Sequence, residues 1–211
     1  MSRLQKNSSC CGAPPRSKRD NILKAAQEIF LESGYAAASM DAVAARANVS
    51  KATIYAHFDN KRALFEAVIG MRCAETFGDL NVPVDTRDVR ETLRQFGENF
   101  LNLILSPEAL AIHRVVMSEA PRLPEVGEAF YFVGPTLARG RVSEMFRALA
   151  HRGLLELSDC EIPLLTDLFM SMLKSDLHMR AMLQLPEGSY SIPEVVDMAV
   201  DLVLARYGKK G

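Results

Sequence analysis

Lys51, Ala52, Thr53, Tyr55, His57 and Lys61 fall within eleven consecutive residues, with Ser50 immediately before them and Ser39 further upstream. Hydroxyl, phenol, imidazole and ammonium groups gathered this closely can donate hydrogen bonds to phosphate oxygens and reach base edges, the chemistry by which a protein holds nucleic acid. Lys61 stands in the first turn of an expected helix, where the helix dipole disfavours a cation. A phosphate beside it would account for its presence. No Gly-x-Ser-x-Gly elbow, phosphate loop or dinucleotide fingerprint occurs, so the chain does not read as an enzyme. The four histidines show no ligand spacing with cysteines or carboxylates; no metal site and no cofactor are expected.

The elements that position these groups follow from caps and apolar spacing. Ser17 and Asp20 suit a capping box for a first helix over Lys18 to Ser33, with Ile22, Ala25, Ala26, Ile29 and Phe30 on one face and Gly34 as its stop. Ser39 caps a short helix over Met40–Ala47, which buries Met40, Val43 and Ala44. Asn48 supplies the left-handed residue of a tight turn. Ser50 caps a third helix over Lys51–His57, and Asn60 a fourth that carries Leu64, Phe65, Val68 and Ile69. Two short capped helices across a tight turn, with supporting helices on either side, make a helix-turn-helix. In that arrangement the second short helix enters the major groove with its first residues on base edges, here Lys51, Ala52 and Thr53. Ser39 and Ser50, at the two helix starts, belong to the same expected DNA-facing set.

From residue 18 to 65 the sequence resembles the TetR family of transcriptional regulators. The resemblance rests on Val49-Ser50, Tyr55, His57-Phe58 and Lys61, with Phe30, Gly34, Tyr35 and Val43-Ala44 in matching places. Two positions depart from the family habit: Asn48 and Ala52 stand where glycine is frequent. The resemblance implies that Tyr55 and His57 contact phosphates while Phe58 packs in the core. Arg16, Lys18 and Arg19 are expected beside the DNA backbone. The stretch from Leu105 to Pro135 resembles the AefR-like branch. It implies a helical box with an apolar cavity and a homodimer made by the last two long helices, which would bind a palindromic operator on double-stranded DNA.

Beyond the head, helices are expected over Thr86 to Leu105, Pro107 to Glu119, Pro135 to Arg152, Glu161 to Leu183 and Pro193 to Tyr207, after a linker at Asn81 to Asp85. No alternating pattern predicts a strand, so the fold class is all-α. The expected division is a flexible basic arm over 1–16, a DNA-binding domain over 17–72 and a ligand-binding and dimerisation domain over 73–211. Leu164, Leu165, Leu168, Leu177, Val195, Val196, Ala199 and Val203 are the candidate dimer residues. Phe96, Phe100, Met117, Phe130, Met145, Phe169 and Met172 are the candidate cavity lining, with His113 as a polar handle and Arg114 and Glu119 nearby. A cluster of Phe and Met adapts to apolar or amphipathic small molecules.

Charge divides along the same line. Residues 1–72 hold 11 Lys and Arg against 6 Asp and Glu, a charge of +5; residues 73–211 hold 14 against 20, a charge of −6. A polyanion is thus expected at one end only. Of the residues, 48% are hydrophobic and 24% charged, an ordinary globular balance. No run approaches the roughly 20 apolar residues that span a bilayer, and the first residues lack the core of a signal peptide. The expected setting is cytoplasmic, away from membranes. Four cysteines in 211 residues do not form a disulfide scaffold; Cys10 and Cys11 read as incidental thiols, Cys73 and Cys160 as small packed groups. The expected function is a regulator, usually a repressor in this family, released from DNA by a small-molecule effector. The alternative is a DNA-binding regulator without a pocket, controlled by a partner or by redox state.

Overall fold

A computed structural model of the chain describes residues 17–77 and 88–209. The arm with Arg16, Cys10 and Cys11, the linker at Asn81 to Asp85, the side chain of Cys73 and the expected helix start at Thr86 lie outside the described residues. Among the described residues ten helices run in the order α1 (Lys18–Ala37), α2 (Met40–Ala47), α3 (Lys51–His57), α4 (Lys61–Phe77), α5 (Val89–Ile104), α6 (Pro107–Glu119), α7 (Pro124–Val133), α8 (Pro135–His151), α9 (Ile162–Met182) and α10 (Ile192–Tyr207). No strand is present among the described residues; Leu155 and Gly208 form an isolated bridge.

The caps behave as local chemistry dictates. Ser17 Oγ accepts from Asp20 N while the Asp20 carboxylate accepts from Ser17 N, both at 3.1 Å. Gly34 breaks α1 with φ 76° and ψ 170°, and Tyr35–Ala37 add a last turn beyond it. A side chain here would be strained by the backbone, and its Cβ would also meet Glu119 Oε1 at 2.8 Å. Asn48 takes the left-handed conformation, φ 53° and ψ 46°, between α2 and α3. Asp88 caps α5 by accepting from Glu91 N, so that helix begins at Val89.

Two hydrophobic cores result. The first joins α1–α4 through Ile22, Leu23, Phe30, Val43, Ile54, Phe58 and Phe65, and it also takes in Ile112 and Val116 of α6 and Val126 and Ala129 of α7. The second gathers Leu93, Phe96, Phe100, Val142, Phe146, Phe169, Leu173, Val196 and Val200 from α5 and α8–α10. Helices α6 and α7 thus add side chains to the core of the head. Gly97 lets α5 approach closely: a Cβ there would meet Val196 at 3.0 Å and Leu173 at 3.1 Å.

Candidate nucleic-acid interface and effector domain

The head presents α3 by burying its opposite side. Ile54 and Phe58 enter the core, which turns Lys51, Ala52, Tyr55, Ala56 and His57 to the surface. Ala56 belongs to this face and escaped the sequence reading; its signal was its spacing of four from Ala52. With small side chains at 52 and 56 the helix backbone can come close to a groove floor. Lys51 is not free in this conformation, since its Nζ pairs with Asp41 Oδ1 at 2.8 Å, and this neighbour raises its pKa. The Thr53 hydroxyl lies 2.8 Å from Ser50 Oγ, and Thr53 N donates to the same oxygen. Ser39 Oγ accepts from Ala42 N. The exposed Ser39 and Ser50 thus act as N-caps, leaving their helix starts turned to solvent. Arg19 lies over the Phe58 ring at 5.6 Å, near the end of α3, while Arg46 is held on α1 by Glu28 at 3.2 Å and Glu32 at 2.8 Å.

Lys61, expected beside a phosphate, is engaged within its own chain. Its Nζ donates to the carbonyl oxygens of Tyr35 at 2.8 Å, Ala36 at 3.0 Å and Ala38 at 3.0 Å, and sits 4.6 Å from the Tyr35 ring centre. An ammonium has three donors, and all three are engaged. The cation in the first turn of α4 is explained by the carbonyls that α1 leaves unpaired beyond Gly34. Tyr35 in turn packs with Phe30 and Phe65, ring centres 5.8 and 5.1 Å away.

The expected cavity residues do not all come together. Phe96, Phe100, Met145 and Phe169 are buried in the second core, with Met172 packed against it. Phe96 lies 6.1 Å from Phe100 and 6.4 Å from Phe169, ring centre to ring centre. Phe130 packs on the first core instead and stacks on His113 at 5.1 Å. Met117 is 62% exposed and lines nothing, because α6 turns it away from both cores. Arg114 is engaged elsewhere, donating to the carbonyls of Ala181 at 2.7 Å and Met182 at 2.9 Å. Glu119 accepts from Ala36 N at 3.5 Å. Cys160 is exposed rather than packed, with its sulfur 3.2 Å from Ser158 Oγ. A surface recess of about 190 Å³ opens between α7, α8 and α9, lined by Tyr131, Pro135, Arg139, Asp167, Met170, Ser171 and Lys174.

On the outer faces of α9 and α10, Leu164, Leu168, Met198 and Leu202 are each more than half exposed. Among the other expected dimer residues, Leu165, Val196, Ala199 and Val203 point inward and are buried in their own chain. The apolar surface is a stripe of large side chains on two neighbouring helices, the kind of patch that marks an association site.

The pattern of bacterial regulatory proteins of the tetR family matches residues 22–68, and that of the AefR-like transcriptional repressor C-terminal domain matches residues 91–209. The transcriptional activator FasR of Mycolicibacterium smegmatis is 37% identical over 92 residues, 43% of this chain and 42% of that protein. The transcriptional regulator UidR of Escherichia coli K12 is 30% identical over 108 residues, 51% of this chain and 54% of that protein. The matched segments thus span about half the length of these relatives. Among solved structures, the flavonoid-responsive regulator FrrA superposes with a TM-score of 0.77 at 30% identity, covering 92% of this chain and 98% of that one. A tetR-family regulator from Mesorhizobium loti gives 0.76 at 26% identity, covering 91% and 97%. No single helix among the described residues is long and apolar enough to cross a membrane.

Proposed function

Because the chain belongs to the tetR family of DNA-binding transcriptional regulators, we propose that it is a homodimeric repressor that grips a palindromic operator and lets go when an effector occupies its C-terminal domain. The observation that carries the reading is the outward face of α3, where Lys51, Ala52, Tyr55, Ala56 and His57 are exposed over a helix anchored by Ile54 and Phe58. Thr53 reads bases beside Lys51 and Ala52, while Tyr55, His57 and the capped helix starts at Ser39 and Ser50 hold phosphates. Lys51 exchanges Asp41 for DNA on binding. Lys61 supports the head from behind and does not touch DNA. The repressor sense rests on the likeness of residues 91–209 to a repressor domain.

Assembly through the Leu164, Leu168, Met198 and Leu202 stripe would place two identical heads for two half-sites. The link from effector to head runs through α6. Its Ile112 and Val116 lie in the core of the head, its Glu119 reaches Ala36 beyond the Gly34 break, and its Arg114 grips the end of α9. A shift of α9 would thereby move the head, a coupling between two separate sites.

Fluorescence anisotropy with labelled duplexes at several salt concentrations tests the DNA half of the proposal. Tyr55→Phe and His57→Ala should each weaken binding to all sequences alike, because phosphate contacts position without reading bases. Thr53→Ala should instead change which bases are preferred. Equal binding by wild type and all three variants would remove α3 from the interface.

A further inference from the structure

Three helices bring an unclaimed polar cluster together. His113 on α6 stacks on Phe130 of α7, ring centres 5.1 Å apart, and lies 5.2 Å from His178 on α9. Neither imidazole has a hydrogen-bond partner among the described residues, and no buried side-chain nitrogen or oxygen lacks one, so the unpaired ring nitrogens keep contact with solvent. Burial lowers the pKa of both rings and the charge of Lys174 lowers it further; with the pressure of His113 added, His178 falls to about 4. At neutral pH two uncharged imidazoles, each with one donor and one acceptor, face each other within the field of the Lys174 charge.

The carboxylates nearby are engaged elsewhere. Asp167 pairs with Arg139 at 2.8 Å and Asp176 with Arg180 at 3.6 Å. Lys174 has no ion-pair partner within bonding distance among the described residues, although Asp167 acts on it from further away. Lys174 also lines the recess of about 190 Å³, whose walls include Tyr131, Pro135 and Met170. Lys174 thus lines the recess and, through its charge, also acts on both imidazoles. No group of three or more His, Cys, Asp or Glu able to hold an ion is assembled among the described residues.

The backbone marks the same spot. Ser175 interrupts α9 with φ 38° and ψ −145°, a conformation that favours glycine, in a Lys-Ser-Asp sequence with neither glycine nor proline. Backbone held in such a region tends to gather at ligand sites and switches. The break follows Lys174 directly and precedes His178 by three residues. It separates the half of α9 fixed in the second core by Leu165, Phe169 and Leu173 from the half held to α6 by Arg114.

We propose that Lys174, His113 and His178 take the carboxylate of a monoanionic amphiphile whose apolar body lies along Tyr131, Pro135 and Met170, and that this is the effector subsite. The proposal rests on the effector-controlled reading above and gives that effector a chemistry. One cation answers one negative charge, and the imidazoles donate to the second carboxylate oxygen. Seated at the break, the ligand would alter the angle between the two halves of α9 and so the position of α6.

Isothermal titration of the full chain with octanoate, 4-phenylbutyrate and 1-octanol tests it. Octanoate should bind at least about tenfold more tightly than octanol, the size of one charge-assisted hydrogen bond. Lys174→Met and His178→Leu should each erase that preference for the acid over octanol; circular dichroism checks that the variants are folded. The phenyl acid shows whether an aromatic or alkyl body fits. Failure of both acids to bind, or a preference that survives both substitutions, overturns the subsite. Operator release is read separately. If octanoate binds with the stated preference but DNA stays bound, the subsite stands and the effector-controlled reading falls. If only octanol releases DNA, that reading stands and the subsite falls.

Discussion

Replacing Lys61 with methionine keeps an aliphatic stem of similar length and removes only the ammonium. That ammonium donates to three carbonyl oxygens at 2.8–3.0 Å and lies over the Tyr35 ring. Hydrogen bonds to a charged group contribute about 1.5–3 kcal/mol each when well buried, neutral ones about 1. Two of these three are partly buried and one exposed, and the ammonium must give up its own hydration. Partial exposure and that desolvation therefore bring the sum below the about 4.5 kcal/mol that three such bonds give at the bottom of the range, to about 2–4 kcal/mol in all. Urea unfolding, followed by circular dichroism, should show Lys61→Met less stable by that amount with an unchanged m-value. At temperatures where the variant is folded, its salt dependence of DNA binding should match that of wild type. A stability change under about 0.5 kcal/mol, together with a salt slope reduced by about one unit, would refute the capping role and return Lys61 to the phosphates.

Gly97→Ala should destabilise by about 1 kcal/mol: it gains helix propensity of about that size, but its methyl group meets Val196 and Leu173 at 3.0–3.1 Å, and overpacking costs about 1–3 kcal/mol; urea melts decide the sign. His178 is held at about 4 in the folded chain against about 6.5 unfolded, so the unfolded state binds more protons and stability falls as pH drops from 6.5 towards 4. Between pH 7 and 5 that loss, discounted for partial solvent screening, should be about 1 kcal/mol, and His178→Asn should flatten the profile; equal profiles contradict the assignment. Leu168→Asp and Leu202→Asp should convert a dimer to monomer in sedimentation without unfolding it, whereas Val196→Asp, whose site is fully buried, should unfold the chain itself; a dimer that survives both surface changes would move the interface elsewhere.

The head was legible because its determinants are local. Ser39, Asn48 and Ser50 fix the ends of α2 and α3 by caps and one left-handed residue, and the observed bounds coincide with those read from the sequence. The partners of Lys61 were not legible, since they lie more than 20 positions away in the chain and only the Gly34 break brings their carbonyls within reach. In the C-terminal domain, helical spacing found the apolar faces but not what each face meets. Leu164 and Leu165 are adjacent and equally apolar, yet one faces out and the other in. The expected cavity residues were chosen by type, and the fold assigned them to two cores and an open surface. Nothing in Lys174-Ser175-Asp176, which holds neither glycine nor proline, signals the break at Ser175.

The most direct test is selection of duplexes from a random library by the purified chain, followed by sequencing. The account predicts enrichment of one inverted repeat, its half-sites centred about one helical turn or a multiple of it apart, with Thr53→Ala shifting the preferred bases inside both half-sites equally. Enrichment of a single asymmetric site, or no enrichment above the unbound library, would contradict it.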